Sequence, residues 1–114
     1  MAMLNEGLQQ IRSLIQAGIT KGQLGTDGTT PNQSQTGLIT AITSTEQSLN
    51  LSGSDKILTF EYDLDSVTGT GNTYKEFEVK DDSDNSFMRI VFTGRSHDSN
   101  DELHIKGRFF IKPV

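Results

Sequence analysis

Three features of this 114-residue chain predict a mainly β fold, an antiparallel β-sandwich or small barrel carrying one N-terminal amphipathic helix. Between Ile57 and Ile111, four segments alternate apolar and polar side chains with period two, as strands with one wet face do. The breaks between them, SVTGTGN, DDSDN and GRSHDSNDE, are rich in turn formers and spaced as in an all-β domain. Only the opening segment carries a clean helical period. The length fits one domain, divided into a helix over 1–18, a Gly/Thr/Pro loop over 19–37 and an antiparallel β domain over 38–114.

The helix is read from Leu4, Leu8, Ile11 and Ile15, spaced four, three and four apart, with Leu14 widening the stripe. Asn5 is placed at its start as a cap, and Gly18 just past its end in the left-handed conformation. Gly18 to Gly37 holds five glycines and Pro31. Such residues interrupt both periodic structures, so the segment reads as an extended surface loop, with Ile19 to Leu24 as a short edge strand. A loop this long in a compact domain usually has a job or a partner. Leu38 to Leu51 reads as a short turn of helix followed by a strand from Gln47.

The strand faces give a predicted core of Leu58, Phe60, Tyr62, Phe77, Val79, Met88, Ile90, Phe92, Leu103, Ile105, Phe109 and Ile111. Phe87, Arg89 and Val91 fall on the face opposite Met88. Gly107 lies on the apolar side of its strand, which implies a bulge or a closely packed neighbour. Arg89 is expected to pair with Glu76 or Glu78 across the DDSDN hairpin, on exposed wet faces.

Apolar residues make up 32% of the chain, against a usual ~45–50% when glycine is included. Net charge is −5, which disfavours nucleic acid and anionic membrane as partners. There is no cysteine, so thiol catalysis and thiolate metal sites are excluded. No apolar run approaches a membrane span, and no leader peptide is expected.

Candidate chemistry is sparse. Asp81, Asp82, Asp84 and Asn85 form one acidic turn, and Asp98, Asn100, Asp101 and Glu102 a second. Hard cations take several oxygen ligands, but a calcium loop begun at Asp82 would need Glu where Thr93 stands. The turns therefore read as solvated hairpin ends. Gly25, Gly28, Gly69 and Gly71 lack the following Lys-Ser/Thr of a phosphate loop. His97 and His104 read as surface histidines without a nucleophile in reach. Glu61, Asp63, Glu76 and Glu78 read as wet-face charges. No catalytic residue, metal site or cofactor is assigned.

The order of features resembles a family of small virion proteins of tailed phages and related viruses. That family carries a GTGTTAP-type loop, a strand opening with Lys-Glu, a strand with Arg and a following Phe, and a closing strand. Gly25, Gly28, Thr29, Thr30, Pro31 and Leu38 match the loop, Lys75, Glu76 and Phe77 the second motif, Arg89 and Phe92 the third. The likeness covers Leu24 to Ile111; this loop is one residue longer, and Glu78 and Val79 replace the family's apolar run. The resemblance implies a non-catalytic structural subunit of the virion, docked in multiple copies into tail, fibre or adaptor. The alternatives are a capsid decoration protein or a β-sandwich that binds host glycan. The expected partners are other virion proteins and further copies of the chain, with a trimer as the first expectation. Leu4, Leu8, Ile11, Leu14, Ile15, Gly25, Gly28, Thr29, Thr30 and Pro31 are the expected interface.

Overall fold

Alternation in the second half of the chain folds as its period dictates. In the computed structural model, which describes residues 4–112, the chain is 44% strand and 16% helical, with one N-terminal helix and two antiparallel sheets. Helix α1 spans Asn5–Gly18 and is followed by β1 (Lys21–Gly25). A 3-10 turn at Thr43–Thr45 precedes β2 (Gln47–Ser48) and β3 (Asn50–Ser54). Then come β4 (Ile57–Leu64), β5 (Thr73–Lys80), β6 (Ser86–Ser96) and β7 (Leu103–Phe110). One sheet has the order β2-β1-β5-β6 and the other β3-β4-β7. Among the described residues neither sheet closes on itself.

The core lies where the sheets face each other. Leu58, Phe60, Tyr62 and Leu64 of β4 are buried, as are Leu24, Phe77 and Val79 of β1 and β5. The Phe77 ring meets Phe60 from the other sheet at 6.1 Å and Tyr62 edge-on at 5.1 Å. Of the expected core, Met88, Phe92, Ile105 and Phe109 are half-buried, and Ile90 remains 38% exposed. Gly107 has the close neighbour its position implied. It pairs with Phe60, whose ring occupies the space a Cβ would need.

The chain changes sheets at Leu49. Its N–H donates to Thr20 O at 2.9 Å, and its buried side chain separates β2 in one sheet from β3 in the other. The single strand expected from Gln47 is therefore two. The short helical turn before it falls on Thr43–Thr45 rather than on Leu38 to Ile42. There the Thr45 hydroxyl donates to Ile42 O at 2.7 Å and accepts from Leu24 N at 2.9 Å. Tyr62 OH donates to Thr45 O, so this turn is fixed to both sheets.

Four local expectations are corrected. Leu4, not Asn5, holds the extended cap position of α1, and Asn5 Oδ1 instead accepts from Lys56 Nζ at 3.3 Å. The helix runs through Gly18 and ends at an extended Ile19 (φ −97°, ψ 133°), whose N–H donates to Ile15 O, so no left-handed glycine is needed. β1 is an interior strand between β2 and β5, not an edge. Within it Gly22 lies against the core, where a Cβ would come within 2.8 Å of the Phe77 and Tyr62 rings. Finally, Phe87 leaves the Arg89 face. The ladder steps from Val79–Met88 to Lys80–Ser86, so Phe87 is an inserted bulge residue, and its ring meets Phe109 of the other sheet at 5.6 Å.

Candidate functional site

The loop between β1 and the Thr43 turn is the unusual element of this fold, and β5 explains its shape. The apolar side chains of Phe77 and Val79 face the core, which sends Glu76, Glu78 and Lys80 to the opposite face. That face is dry. Glu76 and Glu78 are buried because the loop lies across them, and Lys80 is buried beside Gln23 and Glu46. The expectation of exposed carboxylates holds for Asp63 and for the half-exposed Glu61, and fails for Glu76 and Glu78.

Glu76 is the anchor, with no accessible surface at all. Oε1 accepts from Ile39 N and from Arg89 Nε, each at 2.9 Å. Oε2 accepts from Thr40 N at 2.9 Å and from Asp27 N at 3.0 Å. Burial pushes this carboxyl up. The donors from Thr40, Arg89, Ile39 and Asp27 outweigh that push and hold it below its ordinary value. Arg89 spends its remaining donors on the same loop. Nη1 donates to Thr29 O at 2.8 Å and Gln35 Oε1 at 3.1 Å, and Nη2 to Asp27 O at 3.1 Å. The Arg89–Glu76 pair expected on a wet surface thus exists, but buried, and it binds a third segment that sequence spacing did not place there.

The loop closes on itself as an Ω-type loop. Thr26 N donates to Thr40 O and Ile42 N to Leu24 O, both at 3.0 Å, and Gly25 bridges Ala41. Gly25 is required at this crossing, since a Cβ would lie 2.5 Å from both Glu76 Oε2 and Thr40 O. Within the loop, Thr29 N donates to Asp27 Oδ1 at 2.7 Å. The Thr29 hydroxyl and N–H hold the Asp27 carboxyl below its ordinary value, with help from Arg89.

A second charged cluster adjoins the first. Buried Lys80 donates to Gln23 Oε1 at 2.9 Å and lies 3.0 Å from Glu46 and 3.2 Å from Asp84. Lys21 reaches the same two carboxylates at 3.3 and 3.5 Å. Burial lowers the Lys80 pKa, but Glu46 and Asp84 outweigh it and raise it overall. The carboxylates of the acidic hairpin all have partners within the chain. Asp84 is committed to the two lysines, Asp82 accepts from Thr20, and Asp81 Oδ1 receives Ser83 N and Asn85 N. Among the described residues no three His, Asp or Glu side chains converge as a metal site.

The histidines differ from one another. His104 is exposed, as expected, and paired with Asp63 across the β4–β7 ladder. His97 is buried, contrary to expectation. The chain folds back there: His97 N donates to Asn72 O, Gly71 N to His97 O, and Nε2 meets Asp101 O at 3.0 Å. A glycine-rich turn of Gly69 and Gly71, both at positive φ, makes room for this return.

The expected interface residues separate into two groups. Leu8 is buried, and Ile15 is half-buried against the core. Arg12 and Gln16 pack on Gly53 of β3, and Gln9 and Arg12 bond to Asp55. The helix is therefore fastened to its own β3–β4 hairpin. Leu4 and Leu14 stay more than 70% exposed, and Ile11 lies at the boundary. In the loop, Gly25 is buried, whereas Gly28, Thr29, Thr30 and Pro31 are at the surface. Pro31 borders a cleft of about 490 Å3 shared with Asn32, Gln33, Gln35 and Phe87. Comparison of the chain with protein-family models and with curated proteins finds no match.

Proposed function

We propose that this protein is a non-catalytic structural subunit of a tailed-phage virion, a β-sandwich that docks in multiple copies through the outer side of its helix and its clamped loop. The observation that carries the assembly reading is the divided helix. Leu8 and Ile15 pack α1 on its own body, Gln9 and Arg12 bond it to Asp55, and Leu4 and Leu14 are left facing water. A helix already packed on its body presents those side chains without a backbone ordering cost at docking. The loop supports the same reading, since a buried carboxylate and guanidinium spend their donors and acceptors on holding backbone. Placement in the virion rests on the resemblance of the loop and strand motifs.

Changing Leu4 and Leu14 together to Asp is expected to release subunits from a homo-oligomer, while circular dichroism and thermal unfolding stay as in the parent. Light scattering of the parent chain as a concentration-independent monomer overturns the self-assembly reading. Absence of the protein from purified particles by mass spectrometry overturns the virion reading. A second reading, glycan binding, is favoured by the amide-lined cleft at Asn32, Gln33 and Gln35. A glycan panel titrated by calorimetry decides it.

A further inference from the structure

Among the described residues, β6 is paired only on its β5 side and β7 only on its β4 side. Between them opens a groove of about 530 Å3, within the roughly 300–1,000 Å3 of binding clefts. Ile90, Phe92, Leu103 and Ile105 supply its apolar lining, and Arg95 and Lys106 its charge. Ile90 pairs with Phe77, which is wholly buried, yet is itself 38% exposed. The inner face of the domain is therefore open along this seam. An edge strand that offers free backbone groups beside uncovered apolar side chains is a template for strand addition.

Two free ladders flanking an apolar trough select an extended occupant. Its backbone completes the row of hydrogen bonds, and alternate side chains enter the trough. Ile90 to Arg95 sets the useful length at five or six residues, about 20 Å at roughly 3.4 Å per residue. Charge selects the sign. The lining contains Arg95, His104 and Lys106 and no carboxylate, in a chain whose net charge is −5. His104 and Lys106 face Asp63 and Glu61, whereas Arg95 forms no ion pair among the described residues. Two copies meeting edge to edge across a two-fold axis would bring Arg95 and Lys106 of one copy towards those of the other.

We propose that the β6–β7 groove is a strand-acceptor site for an extended segment of a partner protein, acidic and apolar in alternation. It lies apart from the helix leucines and goes beyond the assembly reading built on them. The test uses the full chain and three synthetic heptapeptides. One alternates valine with aspartate, the second replaces aspartate by lysine, and the third places proline at the centre of the first. Binding is followed by calorimetry and by hydrogen exchange of the amides of β6 and β7. The acidic peptide is expected to bind and to slow exchange along both free edges. The lysine peptide should bind about tenfold more weakly, and the proline peptide should lose the protection. Arg95→Glu should reverse the charge preference. No slowing of edge amides by the acidic peptide overturns the proposal, as does protection confined to other elements. Edge protection that grows with protein concentration in the absence of peptide overturns it in favour of a second copy.

Discussion

Arg89 and Glu76 show how much one buried pair can organise. Exposed pairs contribute only ~0.2–1 kcal/mol. This one is buried on both sides, with side-chain exposures of 4% and 0%, so removing one partner strands a charge in a dry site. Arg89→Met is expected to cost about 3–5 kcal/mol by urea unfolding, well above the exposed-pair range. The pH dependence has a definite sign. The folded Glu76 carboxyl titrates below its ordinary value of 4.5, so its contribution is complete above that value and is lost as pH falls through the lowered one. Asp27, Glu46, Asp81 and Asp84 are also held low, so acid destabilisation of the whole chain is shared. The local readout is sharper. On acidification the amides of Asp27, Ile39 and Thr40 should lose exchange protection before those of the β4–β7 ladder. In Glu76→Gln that acid step should be absent. Equal protection of loop and ladder down to global unfolding would show that the carboxylate does not govern the loop.

At the scale of elements, the hairpins and ladders follow period-two alternation, and their exceptions have packing causes. Gly107 is one. Gly107→Ala should cost about 1–3 kcal/mol, because the new methyl must displace the Phe60 ring. Phe60→Ala should cost about 3–5 kcal/mol. In the double variant the methyl enters space the ring has left, so the combined loss should fall short of the sum; strict additivity in denaturant unfolding would refute the contact. Alternation also marked what the sequence could reveal. The faces of β4, β5 and β7 were legible because each apolar residue recurs every second position. The bulge at Phe87 was not, since one inserted residue leaves the composition of the strand unchanged. The burial of Glu76 and Glu78 was equally hidden. Alternation tells which residues share a face, and says nothing about a loop from thirty-odd positions upstream lying over it. His97 was misplaced for a related reason: a turn-rich neighbourhood implies exposure, but the backbone returns over it through Asn72. The helix stripe was legible as a stripe, whereas its division between Leu8 inside and Leu14 outside depends on where β3 and β4 lie.

The whole molecule is longer than its chain length requires. Its radius of gyration is 15.2 Å and its extents are 51 × 28 × 26 Å, against about 13 Å for a compact 100-residue domain. Elongation accompanies two sheets that face each other without closing, which leaves the β6 and β7 edges and the outer helix available at once. The exposed helix leucines and the β6–β7 groove lie on separate elements, so Leu4→Asp with Leu14→Asp should change light scattering without changing peptide binding by calorimetry, and Arg95→Glu should do the reverse.

The zipped base of the loop also bears on what happens when the chain is cut. Asp27 and Thr40, on opposite limbs, hang from the same carboxylate, and Gly25 and Ala41 are bridged beneath them. The exposed tip between Thr30 and Gln35 is where a protease would enter. A nick there separates β1 from everything that follows it in covalent terms only. The severed limb remains held by its ladder to β5 and by the Glu76 anchor. Digestion would leave two fragments that behave as one particle in solution, a molecule whose integrity has passed from the peptide bond to its fold.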